Sequence, residues 1–496
     1  MSALKNWKKP LLIYIDIRVI RLLVLGFSSG LPILLIFSTL SLWLKSAGID
    51  RSTITLFSWA GLAYSFKFLW APVIDKIPII ILSDKFGHRK SWLIISQLML
   101  ITLLMIIGFI DPKYNIVLMA FIIVCIGFCS ATQDAIVDTY RIESAPPELQ
   151  SAMSATYIVG YRLGMIAAGA GSLVLASFFG GDEQSYNANA WQKTYIIMAL
   201  LQTLGVLCTI MSPEPHSKRI LLNNHKDRLK LLNVFFISIL VFILIYKIFP
   251  TIKIEDPLVK GLLSTLKLLT AFSGMFLVFL FSTQVKYVKN YVIISTFWDP
   301  IKSFIKKYGS MAILILAIIA LYRVADIVMG VIANLFYSDM GYTLKQIATI
   351  SKFWGLIATI FGGLLGGVLA SRYNNYSILL LGAILAAATN ILFALLTLLE
   401  PRSSYLMVVI IADNISAGIA SVAFVAFLSS LININFTTSQ YALFTSFMLF
   451  IPKIIGGYSG AIVDNIGYFN FFITTSIMGI PVVLLIIAFR NKVYNN

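Results

Sequence analysis

The stretch IVLMAFIIVCIGFCSATQDAIVDTYR, residues 116–141, decides the fold class of this chain. It is apolar without interruption from Ile116 to Ile126 and then carries two carboxylates, Asp134 and Asp138, one helical turn apart. Residues at i and i+4 share one face of a helix. A charge inside a bilayer costs about 2.5–3.5 kcal/mol on insertion scales, so chains keep such groups where they line a water-filled path or bind a ligand. The stretch therefore predicts a membrane helix with a functional polar end.

Composition places the rest of the chain in a bilayer as well. Of the 496 residues, 59% are hydrophobic and 12% are charged, and the mean hydropathy is +0.90. Soluble domains carry about 25% charged residues, so we expect an all-α polytopic membrane protein. The net charge of +17 comes largely from Lys and Arg in short loops between apolar runs. There they determine topology, and we expect a lipid bilayer and no nucleic acid as partner.

The few Cys and His residues lack the spacing of a disulfide framework or a metal site. All three Cys lie inside apolar runs and all three His lie in polar loops, which argues against haem, retinal-type and metal chemistry within the membrane. No Gly-Lys dipeptide occurs, so a Walker A loop is excluded. We expect no cofactor, and a secondary transporter driven by an ion gradient or by the substrate's own gradient.

Fourteen apolar runs are long enough to cross a hydrocarbon core of roughly 30 Å, which needs about 20 residues of helix. The Gly-rich fifth and tenth runs are the least regular of them. The runs are 20–44, 52–75, 91–110, 115–138, 150–178, 191–212, 231–249, 261–283, 311–337, 346–370, 377–399, 405–432, 438–463 and 468–489.

The distribution of basic residues predicts the orientation. With the N-terminus inside, the cytoplasmic segments hold about 23 Lys and Arg and the outside segments about 9. We therefore expect both termini in the cytoplasm. The first run lacks an A-x-A-like exit and precedes many more, so we expect a membrane span and no cleaved signal peptide.

Two basic linkers divide the chain into three parts. They cover 213–230 and 284–310 and bracket the seventh and eighth runs. The resulting order is six helices, a helical hairpin and six helices, with boundaries at 1–217, 218–309 and 310–496. Two six-helix bundles are the pattern of the major facilitator superfamily, in which the substrate binds between the halves near the middle of the membrane.

A loop between the second and third runs agrees with that pattern. The segment Asp84–Lys90 reads DKFGHRK and resembles the D-x-x-G-x-R-[KR] loop signature of the same superfamily. A basic cytoplasmic loop that merely obeys the charge rule explains it equally well. The corresponding segment of the second half, Gly366–Arg372, is a degenerate form of the signature.

Glycine patterns in the apolar runs have structural explanations. The segment Gly26–Gly30 matches G-x-S-x-G, but that hydrolase motif needs a strand–turn–helix and a His base, and no His lies in any run. We expect instead a helix weakened by its glycines and Pro32, with freed backbone groups near a cavity. The G-x-x-x-G pairs at 160–164 and 456–460 predict close helix packing in corresponding fifth helices.

Charged residues within the runs are the remaining candidates for function. A carboxylate in an apolar cavity, balanced by a nearby Arg or Lys, can take up a proton on one side and release it on the other. An Arg or Lys also binds an anionic substrate. We expect Asp134 and Arg162 to act from the first half and Arg323 and Asp326 from the second. The candidates are Lys67, Asp134, Asp138, Arg162, Arg323, Asp326 and Asp413.

Structural roles are open for several of these charges. Asp138 has Arg141 three residues on, and Arg323 has Asp326 in the same relation, so each is able to form an ion pair on its own helix. Lys453, beside a proline in the thirteenth run, is as well explained by a side chain that reaches for the interface.

At these residues the chain resembles the AmpG family of muropeptide permeases over nearly its whole length. Two blocks are highly specific together, GFSSGLP at 26–32 and SATQDAIVDTYR at 130–141. Further blocks are LAYSFKFLWAPVID at 62–75, GYR at 160–162, LYRVAD at 321–326, GLIATI at 355–360 and FTTSQYAL at 436–443.

The resemblance implies a function and a set of residues. Members of the family carry disaccharide 1,6-anhydromuropeptides from periplasm to cytoplasm for cell-wall recycling, powered by the proton gradient. On matching positions, the resemblance implies functional roles for Gly30, Ala131, Gln133 and Asp134. Two departures keep the charge: Asp413 stands where the family usually has Glu, and Arg323 where many members have Lys.

Other functions remain open at this point. The same fold is able to move another bulky anionic solute, such as a peptide or a coenzyme A ester. A membrane-embedded acyl or glycosyl transferase would need a catalytic His, metal ligands or a large soluble domain, and none is visible in the sequence. A pore is disfavoured by two repeated halves with Gly/Pro-interrupted helices, which favour alternating access.

Overall fold

The computed structural model describes residues 12–49, 53–54, 57, 61–181, 186–215, 221–222, 224–250, 257–456 and 458–494. Within these residues all regular secondary structure is helical, and the protein is an all-α, multi-pass membrane protein. Two compact units emerge from the contacts. One contains residues 1–71, 79–217 and 310–496, and the other contains 72–78 and 218–309.

The first half of the chain forms ten of the helices. Asp16 caps the first of them by accepting a hydrogen bond from the Arg18 backbone N–H at 2.9 Å. The helices are α1 Ile17–Ile36, α2 Ser38–Ser46, α3 Leu62–Phe66, α4 Ala71–Lys76, α5 Ile80–Phe86, α6 His88–Gly108, α7 Pro112–Ser144, α8 Pro147–Ile166, α9 Ser172–Phe178 and α10 Ala188–Met211.

The segment that follows contains two long helices and two short ones. Asn224 caps the first through the Lys226 backbone N–H at 3.0 Å. The helices are α11 His225–Ile248, α12 Pro257–Gln284, α13 Asn290–Ile293 and α14 Asp299–Tyr308. A π-helical turn, Ile294–Trp298, connects the last two.

The second half completes the chain with eight helices. Pairs of them make up single predicted spans, because the helix breaks at Arg323 and changes to a π-helical turn, Ala348–Trp354, before α18. The helices are α15 Met311–Leu321, α16 Val324–Asp339, α17 Leu344–Ile347, α18 Gly355–Arg372, α19 Asn375–Leu396, α20 Ser403–Leu431, α21 Thr437–Gly456 and α22 Ser459–Tyr494.

The number of membrane helices differs from the sequence prediction. Eleven helices of the described residues are long and apolar enough to cross a membrane, and they coincide with eleven of the fourteen predicted runs. Of the remaining three, 52–75 is divided among α3, a 3₁₀ turn and α4 and falls partly outside the described residues. The runs at 261–283 and 438–463 correspond to α12 and α21. The count of fourteen is therefore not confirmed.

The glycines of the first helix serve packing. A Cβ atom at Gly30 would clash with the carbonyl oxygen of Tyr161, and one at Gly26 with that of Tyr157, both on α8. Gly160 and Gly164 present the same close approach from the α8 side. The expected weakening of the helix here is wrong, since α1 is continuous through Pro32 and ends at Ile36. The packing expected of 160–164 is confirmed.

The second half packs through different glycines from those expected. A Cβ at Gly460 meets nothing within 4 Å, and one at Gly456 would lie 3.2 Å from a Val331 methyl group, so the 456–460 pair makes no close backbone contact. Gly366 of α18 lies against the Ile419 backbone of α20, where a Cβ would come within 2.9 Å. The two halves therefore bring different helix pairs into close contact.

The signature-like loop ties helix ends together. Gly87 has a φ of +89°, which favours glycine, and turns the chain into α6. The Arg89 guanidinium binds Glu143 at 2.7 Å, and both side chains are buried. Glu214 accepts hydrogen bonds from the backbone N–H groups of Arg89 and Lys90 at 3.0 and 3.1 Å. Arg89 therefore has a structural role in joining helix ends, in addition to any effect of its charge on topology.

Candidate functional site

A buried group of charges occupies the first half where α7 faces the broken second span. Lys67 begins the 3₁₀ turn between α3 and α4. Lys67, Asp134 and Asp138 are each only 7% exposed. The Lys67 ammonium attracts both carboxylates. We call Lys67, Asp134, Asp138 and Arg141 the first-half charge cluster.

Two hydrogen bonds hold Lys67 against α7. The Tyr64 hydroxyl donates to Ser130 Oγ at 2.8 Å, and the Trp70 indole N–H donates to Thr132 Oγ1 at 3.0 Å. They flank Lys67 on either side along the chain. The irregular backbone of this span is therefore fixed where the ammonium approaches the carboxylates.

Asp134 keeps one oxygen unsatisfied. The Ser29 hydroxyl of α1 interacts with its carboxylate, but Oδ1 is buried without a hydrogen-bond partner among the described residues. Buried polar atoms are nearly always paired, and an exception calls for an explanation. A role in taking up and releasing a proton would explain this unpaired oxygen.

Asp138 belongs to an ion-pair network that joins the two halves. Arg141 lies 3.6 Å from Asp138 in the i,i+3 pair that the sequence offered as an alternative, and the Tyr441 hydroxyl of α21 also binds Asp138. Arg141 donates to Ser429 Oγ of α20 at 2.9 Å and to the Tyr441 hydroxyl at 3.2 Å. Nearby, Thr139 Oγ1 donates to Thr438 Oγ1 at 3.0 Å. The halves are in contact at this end of α7.

Gln133 lies inside the first-half bundle with both ends of its amide engaged. Its Nε2 donates to Ser28 Oγ at 3.0 Å and to Ser29 Oγ at 3.3 Å, and its Oε1 accepts from Gln202 of α10 at 2.8 Å. Gln133 and Ala131 are fully buried. The structure thus places Gln133 where it acts on Asp134 through Ser29, and gives Ala131 a packing position.

Gly30 also contributes through its neighbours. Its contact with Tyr161 fixes α1 against α8, and the adjacent Ser29 hydroxyl interacts with both Asp134 and Tyr157. A side chain at position 30 would push α1 and α8 apart and displace Ser29. The role implied for Gly30 by resemblance therefore has a steric explanation.

Arg162 does not face Asp134, contrary to expectation. Tyr157 and Tyr161 of α8 lie on the face that interacts with Asp134, and successive residues are turned by about 100° around a helix. Arg162 therefore points elsewhere, and its charge interacts with Arg323 of the second half. No carboxylate of the described residues pairs with it, and its guanidinium donates to Met165 Sδ at 3.8 Å.

The second half holds a charge group of its own. Arg323 lies at the break between α15 and α16, 3.4 Å from Asp326, and donates to Ser421 Oγ of α20 at 2.6 Å. Asp413 of α20 accepts a hydrogen bond from Thr389 of α19 at 3.1 Å and interacts electrostatically with Asp326 and Arg323. We call Arg323, Asp326 and Asp413 the second-half charge cluster.

Lys453 reaches across to the first half. Its ammonium donates to Ser65 Oγ of α3 at 2.9 Å. This contact replaces the interface-directed side chain that the sequence suggested. With Arg162 and Arg323, it adds to the positive charge between the halves.

Several residues of the site carry no sequence signal that points to them. Ser29 and Tyr441 lie within the blocks of resemblance but are neither charged nor regularly spaced. Gln202 lies in an apolar helix outside those blocks. Only the packing of α1, α10 and α21 against α7 shows that these residues contact the charged ones.

Comparison with known proteins places the chain among transporters. The family model described as Major Facilitator Superfamily matches residues 22–457. A putative transporter AmpG 4 from Rickettsia felis is 30% identical over 481 residues, covering 97% of this chain and 98% of that protein. An anhydromuropeptide permease from Escherichia coli is 28% identical over 470 residues, covering 95% of this chain and 79% of that protein.

Solved structures show the same fold. The proton:xylose symporter XylE matches with a TM-score of 0.60 at 12% identity, covering 96% of both chains. The transporter FucP in its outward conformation matches with a TM-score of 0.61 at 11% identity, covering 95% of this chain and 98% of that one. At these identities the likeness concerns the fold alone.

Proposed function

Because the chain belongs to the AmpG family of the major facilitator superfamily, we propose that it imports 1,6-anhydromuropeptides from periplasm to cytoplasm together with a proton. It is a transporter and not an enzyme. The observation that carries the proton step is the unpaired Asp134 Oδ1, buried beside Lys67 within the membrane. The proton gradient takes the place of a cofactor, and the bacterial inner membrane is the location.

The proton-binding step follows from the arrangement of the first-half charge cluster. Asp138 interacts with both Lys67 and Arg141, and the Lys67 ammonium is the cation that acts on Asp134. A proton on Asp134 removes that attraction and frees the Lys67 ammonium. Because an uncompensated charge is costly in the membrane, protonation and movement of the second span are coupled.

The substrate-binding step rests on two arginines of opposite halves, Arg162 and Arg323, whose charges interact. Arg162 lacks a carboxylate partner among the described residues, and Arg323 shares its charge with Asp326. Two positive charges that repel each other are stabilised when an anion binds between them. The peptide carboxylates of an anhydromuropeptide are such anions, and their binding would draw the halves together.

Release to the cytoplasm requires the contact at the end of α7 to open. The bonds from Arg141 to Ser429 and from Thr139 to Thr438 close that end. We assign it to the cytoplasmic side, with both termini in the cytoplasm, on the distribution of Lys and Arg. Bundles 1–217 and 310–496, joined through 218–309, would then move against each other around the site.

Uptake by reconstituted vesicles tests the proposal. Purified protein in liposomes is given labelled anhydromuropeptide with and without an inwardly directed proton gradient. We expect accumulation that requires the gradient and falls when unlabelled anhydromuropeptide is added. A short peptide and a coenzyme A ester serve as competitors, and stronger competition by either would replace the proposed cargo. Absence of uptake of all three in protein shown to be folded would overturn the proposal.

A further inference from the structure

The short helix α14 has the properties of a helix that lies on a membrane surface. It comprises ten residues, Asp299–Tyr308, and is about 15 Å long at 1.5 Å per residue. It is too short to cross a hydrocarbon core of roughly 30 Å. It lies in the second basic linker, 284–310, whose sequence contains a single carboxylate, Asp299.

The faces of α14 differ in chemistry. Pro300 and Phe304 are buried against the protein. Trp298, Ile301 and Ile305 follow each other at i, i+3 and i+7 and form a stripe that is 47%, 36% and 52% exposed.

Basic residues border this exposed stripe. Lys302 and Lys306 are exposed and follow Ile301 and Ile305 by one position each, about 100° around the helix. An apolar stripe with lysines along one edge is the pattern of helices that insert partway into a charged bilayer surface.

Contacts with α12 place the stripe beside the last turns of that apolar helix. The Trp298 ring packs edge-on against Phe276 with 6.2 Å between centroids, and Phe297 packs against Phe279 at 4.7 Å. These two α12 residues lie about 8 to 12 Å from the end of that helix at Gln284. Interfacial helices bury their apolar face about 5–10 Å into the boundary between headgroups and acyl chains.

The chain before α14 is held in place as well. The buried Asp227 carboxylate of α11 accepts hydrogen bonds from Lys289 at 3.2 Å and from the Tyr291 hydroxyl at 2.9 Å. On the other side, Ser310 and Gly309 alone separate α14 from the membrane helix α15. The chain is therefore anchored on both sides of α14.

We propose that α14 lies in the bilayer surface and binds anionic lipid headgroups through Lys302 and Lys306, with Trp298, Ile301 and Ile305 inserted among the acyl chains. The occupant is a lipid surface because the stripe is apolar and its border is cationic, and because α14 is linked directly to membrane helices. The inference is independent of the transported substrate.

Depth-dependent quenching tests the insertion. In a chain with Cys125, Cys129 and Cys208 replaced by Ala, an environment-sensitive fluorophore is attached at Ile305→Cys or at Lys307→Cys, which lies across the helix. The vesicles contain phosphatidylcholine alone or mixed equally with phosphatidylglycerol, plus a lipid with a shallow spin label. We expect quenching at 305 to exceed that at 307 at least twofold, and to increase with phosphatidylglycerol. Equal quenching at both positions would overturn the insertion.

Charge reversal tests the headgroup contact. Lys302→Glu with Lys306→Glu should abolish the effect of phosphatidylglycerol on the 305 label, and should lower the number of phosphatidylglycerol molecules retained in native mass spectrometry. Lys193→Glu with Lys247→Glu reverses two exposed lysines elsewhere and changes the net charge equally. The proposed binding of anionic headgroups is wrong if both double variants retain as much lipid as the original chain. It is also wrong if quenching at position 305 does not depend on the charge of the lipid.

Discussion

The two charge clusters differ in how their ions are paired. In the first half, Lys67 of the broken second span attracts the carboxylates of α7, so the interaction exists only while two separate segments stay together. In the second half, Arg323 pairs with Asp326 three residues along, and their side chains are 23% and 14% exposed. The first cluster is thus sensitive to helix movement, whereas the Arg323–Asp326 pair travels with its own helix.

This difference assigns the clusters different tasks. A pairing between segments changes with the arrangement of the helices and suits the coupling of a proton to movement. A pairing within one helix keeps a cation oriented in every state and suits the binding of an anion. The predictions below test this division.

The largest expected effect concerns stability. Lys67→Met leaves Asp134 buried without its ammonium, and removing one partner of a buried pair costs about 3–5 kcal/mol. Arg323→Met should cost less, about 1 kcal/mol, because its partner is more exposed and pairs in that range are weak. Thermal unfolding in detergent measures both.

A second substitution serves as the control for that comparison. Combining Lys67→Met with Asp134→Asn removes the uncompensated charge. The double variant should recover more than half of the stability that Lys67→Met loses. Equal losses from Lys67→Met and Arg323→Met, or no recovery in the double variant, would refute the distinction between the clusters.

The next effect concerns substrate affinity. Arg162→Gln and Arg323→Gln should each raise the KM of uptake about tenfold or more, because a hydrogen bond to a charged group is worth about 1.5–3 kcal/mol. Arg402→Gln, an exposed arginine paired with Glu400, is the matched control. The concentration dependence of uptake measures the change. An unchanged KM with a lowered maximal rate would remove the arginines from the binding site.

The smallest effect concerns the residues that position Asp134. Gln133→Ala and Ser29→Ala should each lower uptake by about three- to tenfold while the protein still reaches the membrane. Because Gln133 acts through Ser29, the double variant should be little worse than either single one. Additive losses would show that Gln133 acts by another route, and equal uptake at equal expression would leave it without a role.

The fold was predictable because the thickness of a bilayer sets the length of the helices that cross it. A bilayer imposes length and apolarity on every helix, so eleven spans could be located from hydropathy alone. The broken span around Lys67 could not, because hydropathy reports the environment of a segment and not its backbone. The G-x-x-x-G pattern predicts a helix surface of small residues, but not whether another helix packs against it. Another helix lies against Gly164, whereas none of the described helices lies against Gly460.

The site was predictable in its charges and not in its pairings. The cost of burying ions made Asp134, Asp138 and Arg323 stand out in the sequence. Which cation faces Asp134 depends on the rotation of α8, where Tyr161 takes the facing position and turns Arg162 away. Uncharged partners such as Gln202 do not stand out in the sequence, because burying them costs much less free energy than burying a charge.

The central claim is that Asp134 carries the coupled proton, and one comparison tests it directly. Vesicles containing Asp134→Asn are assayed for accumulation driven by a proton gradient and for exchange of internal against external anhydromuropeptide without a gradient. Glu400→Gln, an exposed carboxylate, is the control. The account predicts that Asp134→Asn retains exchange and loses gradient-driven accumulation, while the control keeps both. Accumulation by Asp134→Asn that still follows the proton gradient would contradict it.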